Sequence, residues 1–582
     1  MEQFSQTREG LHIDFNVPIQ ANDGLVLRGN VYKPTEGGQY PVILSYGVYG
    51  KDLHFEDIYS TNYHKMLKDC PEVGVGSTNI HQAWEVLDPE KWCPMGYILL
   101  RVDSRGAGCS PGRMDPFSSR EAQDIYDCIE WAAAQPWCNG KVGMCGISYY
   151  AVNAWHAAEL QPPHLAAIVV WEGFSDYYRD CTHHGGILSE HQKLWSVNQS
   201  HPVQHGKGKF GYKSRVTGLN VSGDEELTEQ QRLDNRVELG EEVPKHPLDD
   251  AYHRDHSVKN FKNIKVPLLA AANWGGQGLH TRGNIEGYMQ AASDEKWLEV
   301  HGLEHWTLFY AQYGHDMQKQ FLDHYLKGLD NGWENRRNVQ LQIRHVGDRF
   351  TERWEDEFPL ARTQYTKLYL DPQQYGLSES PFVGSASVAY KGFSEGLTFM
   401  TLPYEEDVEI TGYAKAKLVV SSSTTDVDLF LVMRLFAPDM AEVAFRGTND
   451  PNTPLAQGWL RASHRKLDTA KSTAYRPWHT HDEIEPLEPG KAYELDVEFY
   501  PTCIVIPKGY RLGLTIRGKD YVNACAADGH IRKSNASRPL TGCGPFVHND
   551  PIDRNPEVYN GCVTVHCDSE NQCYLQLPVI PK

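Results

Sequence analysis

At 582 residues the chain is longer than one hydrophobic core usually serves, so two or three domains are expected. Its 40% hydrophobic and 23% charged content is ordinary for a globular enzyme, and a net charge of −20 argues against nucleic acid or an anionic membrane as partner. No apolar run is long enough for a membrane helix, and the polar opening Met1-Glu2-Gln3-Phe4-Ser5 lacks a signal peptide, which predicts a cytoplasmic protein. Its 13 cysteines, with no C-x-x-C pair, accordingly read as reduced thiols.

Short apolar runs at 25–31, 41–46 and 97–102 predict strands, and a helical pattern follows at 122–134. The apolar run 142–145 passes through Gly146-Ile147-Ser148 into a helical stretch, 149–160. Further strands are expected at 165–171, 266–271 and 297–301, and a helix at 312–329. Such alternation gives an α/β fold with a mostly parallel, covered sheet, and ligands sit at the carboxyl ends of its strands. Residues 176–262, rich in His, Gly, Asn and charge, interrupt the alternation and read as a cap insertion. After residue 338 the pattern changes to runs at 339–343, 415–420, 428–435, 492–500 and 511–516, separated by Gly, Pro and Asp turns, as in a β-sandwich. The expected domains are therefore an α/β core at 1–175 and 263–333, the cap at 176–262, and an all-β region at 338–582.

The stretch Lys141 to Ala151 carries the chemistry. A serine on a tight strand-to-helix turn is a nucleophile elbow, which lifts the hydroxyl above the sheet at a helix N-terminus that favours negative charge. The consensus is G-x-S-x-G; here Tyr150 takes the last position and the small residue, Ala151, comes one place later.

Several motifs resemble the CocE/NonD hydrolases, the cocaine-esterase and X-prolyl dipeptidyl-peptidase group. They are Gly146-Ile147-Ser148-Tyr149-Tyr150-Ala151, the turn Asp103-Ser104-Arg105-Gly106 with Ser110 and Gly112, Gln135-Pro136-Trp137, and Phe321 to Gly328. The resemblance spans nearly the whole chain. It implies an α/β-hydrolase core, a helical cap and a C-terminal jelly roll.

Within that resemblance Ser148 is the nucleophile and His305, in the loop after the strand 296–301, is its base; His301 competes but reads as strand interior. The oxyanion is expected to meet the backbone N–H of Tyr149 and the hydroxyl of Tyr49, which occupies the place of the family's N-P-Y-D-K-like turn. The family's triad aspartate is missing: its G-W-Y-D motif stands here as Asn273-Trp274-Gly275-Gly276. Glu172, at the end of the strand one place earlier, is the expected substitute, with Asp176, Glu304, or no acid at all as rivals. Trp171, Phe174, Trp274 and Trp306 are candidate walls of the substrate pocket.

The expected activity is hydrolysis of a small organic ester or amide through an acyl-serine, with no cofactor and no metal. His183-His184 and His479-x-His481 lack the further ligands of a metal site. Acyl transfer, lactone opening or closure, and a non-hydrolytic scaffold with a degenerate triad are the other readings. The partner expected is a small molecule, not nucleic acid or membrane, and assembly into a homo-oligomer is left open.

Overall fold

The computed structural model describes residues 2–523 and 541–582. Eleven strands form one sheet, in the order Phe4–Arg8, Leu11–Gln20, Val26–Pro34, Ile98–Asp103, Tyr40–Gly47, Cys138–Ile147, Leu165–Trp171, Leu268–Asn273, Lys296–His301, Val339–His345, Arg349–Glu355. From Ile98–Asp103 to Val339–His345 each neighbouring pair is parallel. The strands at 98–103, 165–171 and 268–273 are apolar almost throughout because both faces are covered, and nearly every residue in them is buried.

Helices Ser119–Ala133, Tyr149–Leu160 and Gln312–Lys327 cover the sheet. Ser118 caps the first by accepting from the Glu121 N–H, and Gly328 ends the third in the left-handed region at φ +69°. One apolar cluster, with Trp84, Tyr149 and Phe321, lies on one side of the sheet; another, with Ile125, Trp155 and Ile285, lies on the other. No helix among the described residues is long and apolar enough to cross a membrane.

Val339–His345 pairs in parallel with Lys296–His301, and Arg349–Glu355 pairs with it in turn, so the first two strands after residue 338 extend the core sheet. A period-two pattern announces a strand but not the sheet it joins. The remaining strands, from Gln364–Asp371 to Tyr574–Ile580, form a second, strand-rich domain around its own apolar cluster. The cap at 176–262 holds short helices, such as His191–Trp195 and Ala251–Asp255, and the small hairpin of His183–His184 with Ile187–Leu188.

Candidate active site

Ser148 joins the strand Cys138–Ile147 to the helix Tyr149–Leu160 at φ +54°, ψ −108°. A serine in this region is strained by roughly 1–3 kcal/mol, and the surroundings must hold it there. They do so through the Ser148 N–H, which donates to the Trp171 carbonyl at 3.0 Å, and the Ile147 N–H, which donates to the Glu85 carbonyl at 3.0 Å. The departure from the elbow consensus has a packing reason. The Tyr150 ring lies over Gly47, where an added Cβ would come within 2.7 Å of it, and a side chain on Gly146 would also collide with Tyr150. Ala151 must be small because Gly173 packs on it, with 2.7 Å between its Cβ and one built on Gly173.

Glu172 follows the strand Leu165–Trp171 at φ +51° and is fully buried. Its Oε2 accepts from His305 Nδ1 at 2.7 Å; its Oε1 accepts from His301 Nε2 at 3.0 Å and from the Asn273 amide at 3.1 Å. Burial works against its ionisation, but the charges of His305 and His301 prevail and hold the carboxyl down at about 2. His305 stands between two acids, since its Nε2 lies 3.0 Å from Glu85 Oε1. Burial disfavours its cation, yet Glu172 and Glu85 raise it to about 9. His301 is likewise raised to about 9, with burial outweighed by Glu299 and Glu172.

The nearest base to the candidate nucleophile is a residue that the sequence reading passed over. His280 Nε2 lies 3.0 Å from Ser148 Oγ. Its ring stacks on His305 with centroids 4.9 Å apart and planes 5° from parallel, and its Nδ1 is 4.0 Å from Glu172 Oε2. That Nδ1 is buried and makes no hydrogen bond. Burial, and then the charge of His305, push the His280 imidazolium well below its usual range, so the ring is neutral. His280 is four residues beyond Gly276, in the loop where the family resemblance predicts an acid. A histidine there matches no part of that motif, so the sequence pattern does not single it out. Glu85, at φ +63° in a loop, carried no periodic signal at all.

Asp176 pairs with Arg179 at 2.8 Å, and Glu304 faces Lys65 and Arg446, so neither rival acid is on His305. A Cβ at Gly276 would come within 2.7 Å of Thr281 Oγ1, so a side chain there would require the threonine to shift. The Trp195 indole donates to the Tyr49 oxygen at 3.1 Å, which orients the phenol and leaves its O–H to donate. Burial, then Glu85, raises the Tyr49 phenol far above its usual range, so it stays a donor. The Tyr149 N–H is the first of its helix, a position with no partner within the helix.

The cavity at Ser148 is lined by Tyr49, Trp84, Phe117, Phe174 and Trp195, with Glu85, His280 and His305 as its titratable groups besides His191. Of the four expected walls only Phe174 lines it. Trp171 packs on His301 and Phe309, the Trp274 indole donates to the Gln342 carbonyl, and Trp306 packs behind Trp84. These three large rings were taken by core positions. The cap supplies His191, Gln192, Trp195 and Gln199 to the lining, and the β domain supplies Asn449 and Pro545. Glu172, His280 and His305 also bring three metal-capable atoms within 4.8 Å of one another, a convergence the sequence did not announce.

Residues 23–307 match the family model of the X-Pro dipeptidyl-peptidase (S15 family), and residues 331–576 match that of the X-Pro dipeptidyl-peptidase C-terminal non-catalytic domain. The crystal structure of a CocE/NonD family hydrolase from Staphylococcus aureus superposes with a TM-score of 0.83 at 30% identity, over 98% of this chain and 94% of that one. The chain belongs to the CocE/NonD family of hydrolases. Among curated relatives of this hydrolase, the cocaine esterase of Rhodococcus sp. (strain MB1 Bresler) is 23% identical over 97% of the chain and 98% of its own length. The Xaa-Pro dipeptidyl-peptidase of Ligilactobacillus salivarius is 22% identical over 81% of the chain and 65% of its own length. Esterases and peptidases thus share this α/β core and strand-rich C-terminal domain, and the chain is a serine hydrolase by family.

Proposed function

We propose that this hydrolase cleaves a small organic ester or amide through an acyl-Ser148 intermediate, with His280 taking the serine proton. The contact of Ser148 Oγ with His280 Nε2 at 3.0 Å, on a strained elbow, carries the reading. Serine becomes a useful nucleophile only when a base accepts its proton as it attacks. His280 is neutral and its bare Nε2 faces the hydroxyl, so its other nitrogen carries the hydrogen and faces Glu172. When the proton moves from Ser148 to His280, the new imidazolium stands beside that carboxylate. His280 then returns the proton to the leaving alcohol or amine, and water repeats the sequence on the acyl-enzyme. The Tyr49 hydroxyl and the Tyr149 N–H hold the oxyanion in both halves. Aromatic walls, and the lack of any Lys or Arg among the described residues that line the cavity, favour an apolar acyl group over a carboxylate.

A second reading keeps His305 as the base, and its 2.7 Å bond to Glu172 favours it. It requires Glu85 to release His305 Nε2. The acid limb of kcat/KM separates the two, because a base must be unprotonated. With His280 as base, activity persists at pH values well below 6.5. With His305 as base, it rises only towards about pH 9. His280→Gln is expected to remove fluorophosphonate labelling of Ser148. Full labelling in that variant, with loss in His305→Gln, would overturn the His280 assignment.

Tyr49→Phe is expected to lower kcat by about 10²-fold or more with a smaller change in KM, since one oxyanion donor acts mainly in the transition state. Steady-state kinetics on the preferred ester check this, and an unchanged kcat would place the second donor elsewhere.

A further inference from the structure

The loop that bears His280 is held by the β domain. The Thr448 N–H donates to the Gly275 carbonyl at 3.2 Å, and the Gln277 amide donates to the Pro454 and Leu455 carbonyls at 3.2 Å each. Gly278, at φ +88°, packs so closely on Phe546 that an added Cβ would come within 3.0 Å of the ring. Its carbonyl, two residues before His280, is met by His184 Nε2 at 2.8 Å. His184 Nδ1 lies 2.6 Å from His548 Nε2, and His548 Nδ1 lies 2.7 Å from Asp520 Oδ1.

Donor counting fixes the protons along this line. A carbonyl only accepts, so His184 Nε2 carries the hydrogen. Burial, then the charge of His548, lowers His184 to about 3, so the ring is neutral and its Nδ1 is bare. His548 must therefore donate from Nε2. Asp520 anchors the far side of that ring at Nδ1, and the Asp520 carboxyl is held below its usual range by His548 despite burial. Besides Asp520 and His184, His548 faces the rings of Phe430 and Trp459, and the Arg554 guanidinium donates to its carbonyl at 2.8 Å.

We infer that His548, with Asp520 and His184, is a positioning device that fixes the Gly278 carbonyl and thereby the His280 ring on Ser148. The inference rests on the reading of His280 as the base. It makes the β domain part of the catalytic apparatus through residues that never touch substrate. Displacing a catalytic group by about 1 Å can cost on the order of 10² in rate.

The test uses the full chain carrying His548→Leu, His548→Gln or His280→Gln, with fold checked by circular dichroism and melting. His548→Leu leaves His184 Nδ1 with no donor, so the line to the Gly278 carbonyl breaks. It is expected to lower kcat and the fluorophosphonate labelling rate by about 10- to 100-fold with KM little changed. His548→Gln still offers an amide N–H to His184, so it is expected to keep most of kcat. A folded His548→Leu enzyme with wild-type kcat, or a glutamine variant as impaired as the leucine one, would overturn the inference. If His280→Gln leaves labelling intact, the reading beneath it fails first; loss in His280→Gln with no effect of His548→Leu sinks the positioning role alone.

Discussion

Replacing Ser148 by alanine is expected to abolish ester turnover and fluorophosphonate labelling while leaving the protein folded. Loss of the nucleophile of a serine hydrolase typically costs roughly 10⁶ in kcat. The change deletes one hydroxyl, whose hydrogen bond is to His280. The strained φ of +54° is a backbone property that alanine shares, so the melting temperature should shift little. Mass spectrometry of the labelled peptide, beside turnover of the purified variant, is the measurement. Undiminished activity would remove every mechanism that begins at the elbow.

Glu172→Gln is expected to cost on the order of 10⁴ in kcat, the scale of losing the acid that charge-balances a catalytic histidine. Its carboxylate is the one group that contacts His305 and His301 and also faces His280. Removing it leaves buried imidazoliums short of an anion, and breaking a buried pair in this way costs about 3–5 kcal/mol of stability. The pH dependence follows from the signs. His305 is raised in the folded state, to about 9, so its contribution is full below the ordinary histidine range and is lost as pH rises through 9. Glu172 is lowered, to about 2, so its contribution is full above the ordinary carboxylate range and is lost as pH falls towards 2. Melting curves of the wild type should therefore weaken between about pH 6.5 and 9, and Glu172→Gln should flatten that decline. Part of it will remain, because His301 keeps Glu299 at 2.6 Å. A glutamine variant with wild-type kcat and the wild-type melting profile would show that Glu172 serves neither role.

The pattern of residues sufficed for local features. A short, β-branched apolar run such as Leu165–Trp171 fits a strand covered on both faces, and that segment forms a strand with the expected ends. Gly146-Ile147-Ser148 before a helical stretch specifies the sharp turn, because the strand, the turn and the helix Tyr149–Leu160 are all encoded within the one continuous stretch 138–160. Glu172 could be singled out for the same reason, since the residue just after a central strand projects at the edge of the sheet where ligands bind.

The groups around Ser148 were decided by tertiary structure. His280 reaches the serine because the β domain clamps residues 275–278 through Thr448, Gln277 and Phe546, contacts between segments some 170 or more residues apart in sequence. Glu85 reaches His305 across 220 residues. Trp171, Trp274 and Trp306 went to the core, and Trp195 came from the cap, because an aromatic ring carries the same apolar signal whichever cavity it fills. The strands 339–345 and 349–355 joined the hydrolase sheet because its last edge was open to them. Sequence alone determined the strand-turn-helix that presents Ser148, since its hydrogen bonds and dihedral preferences are local. Only the folded chain decided which histidine meets that serine, since the contact depends on how two domains close around one loop.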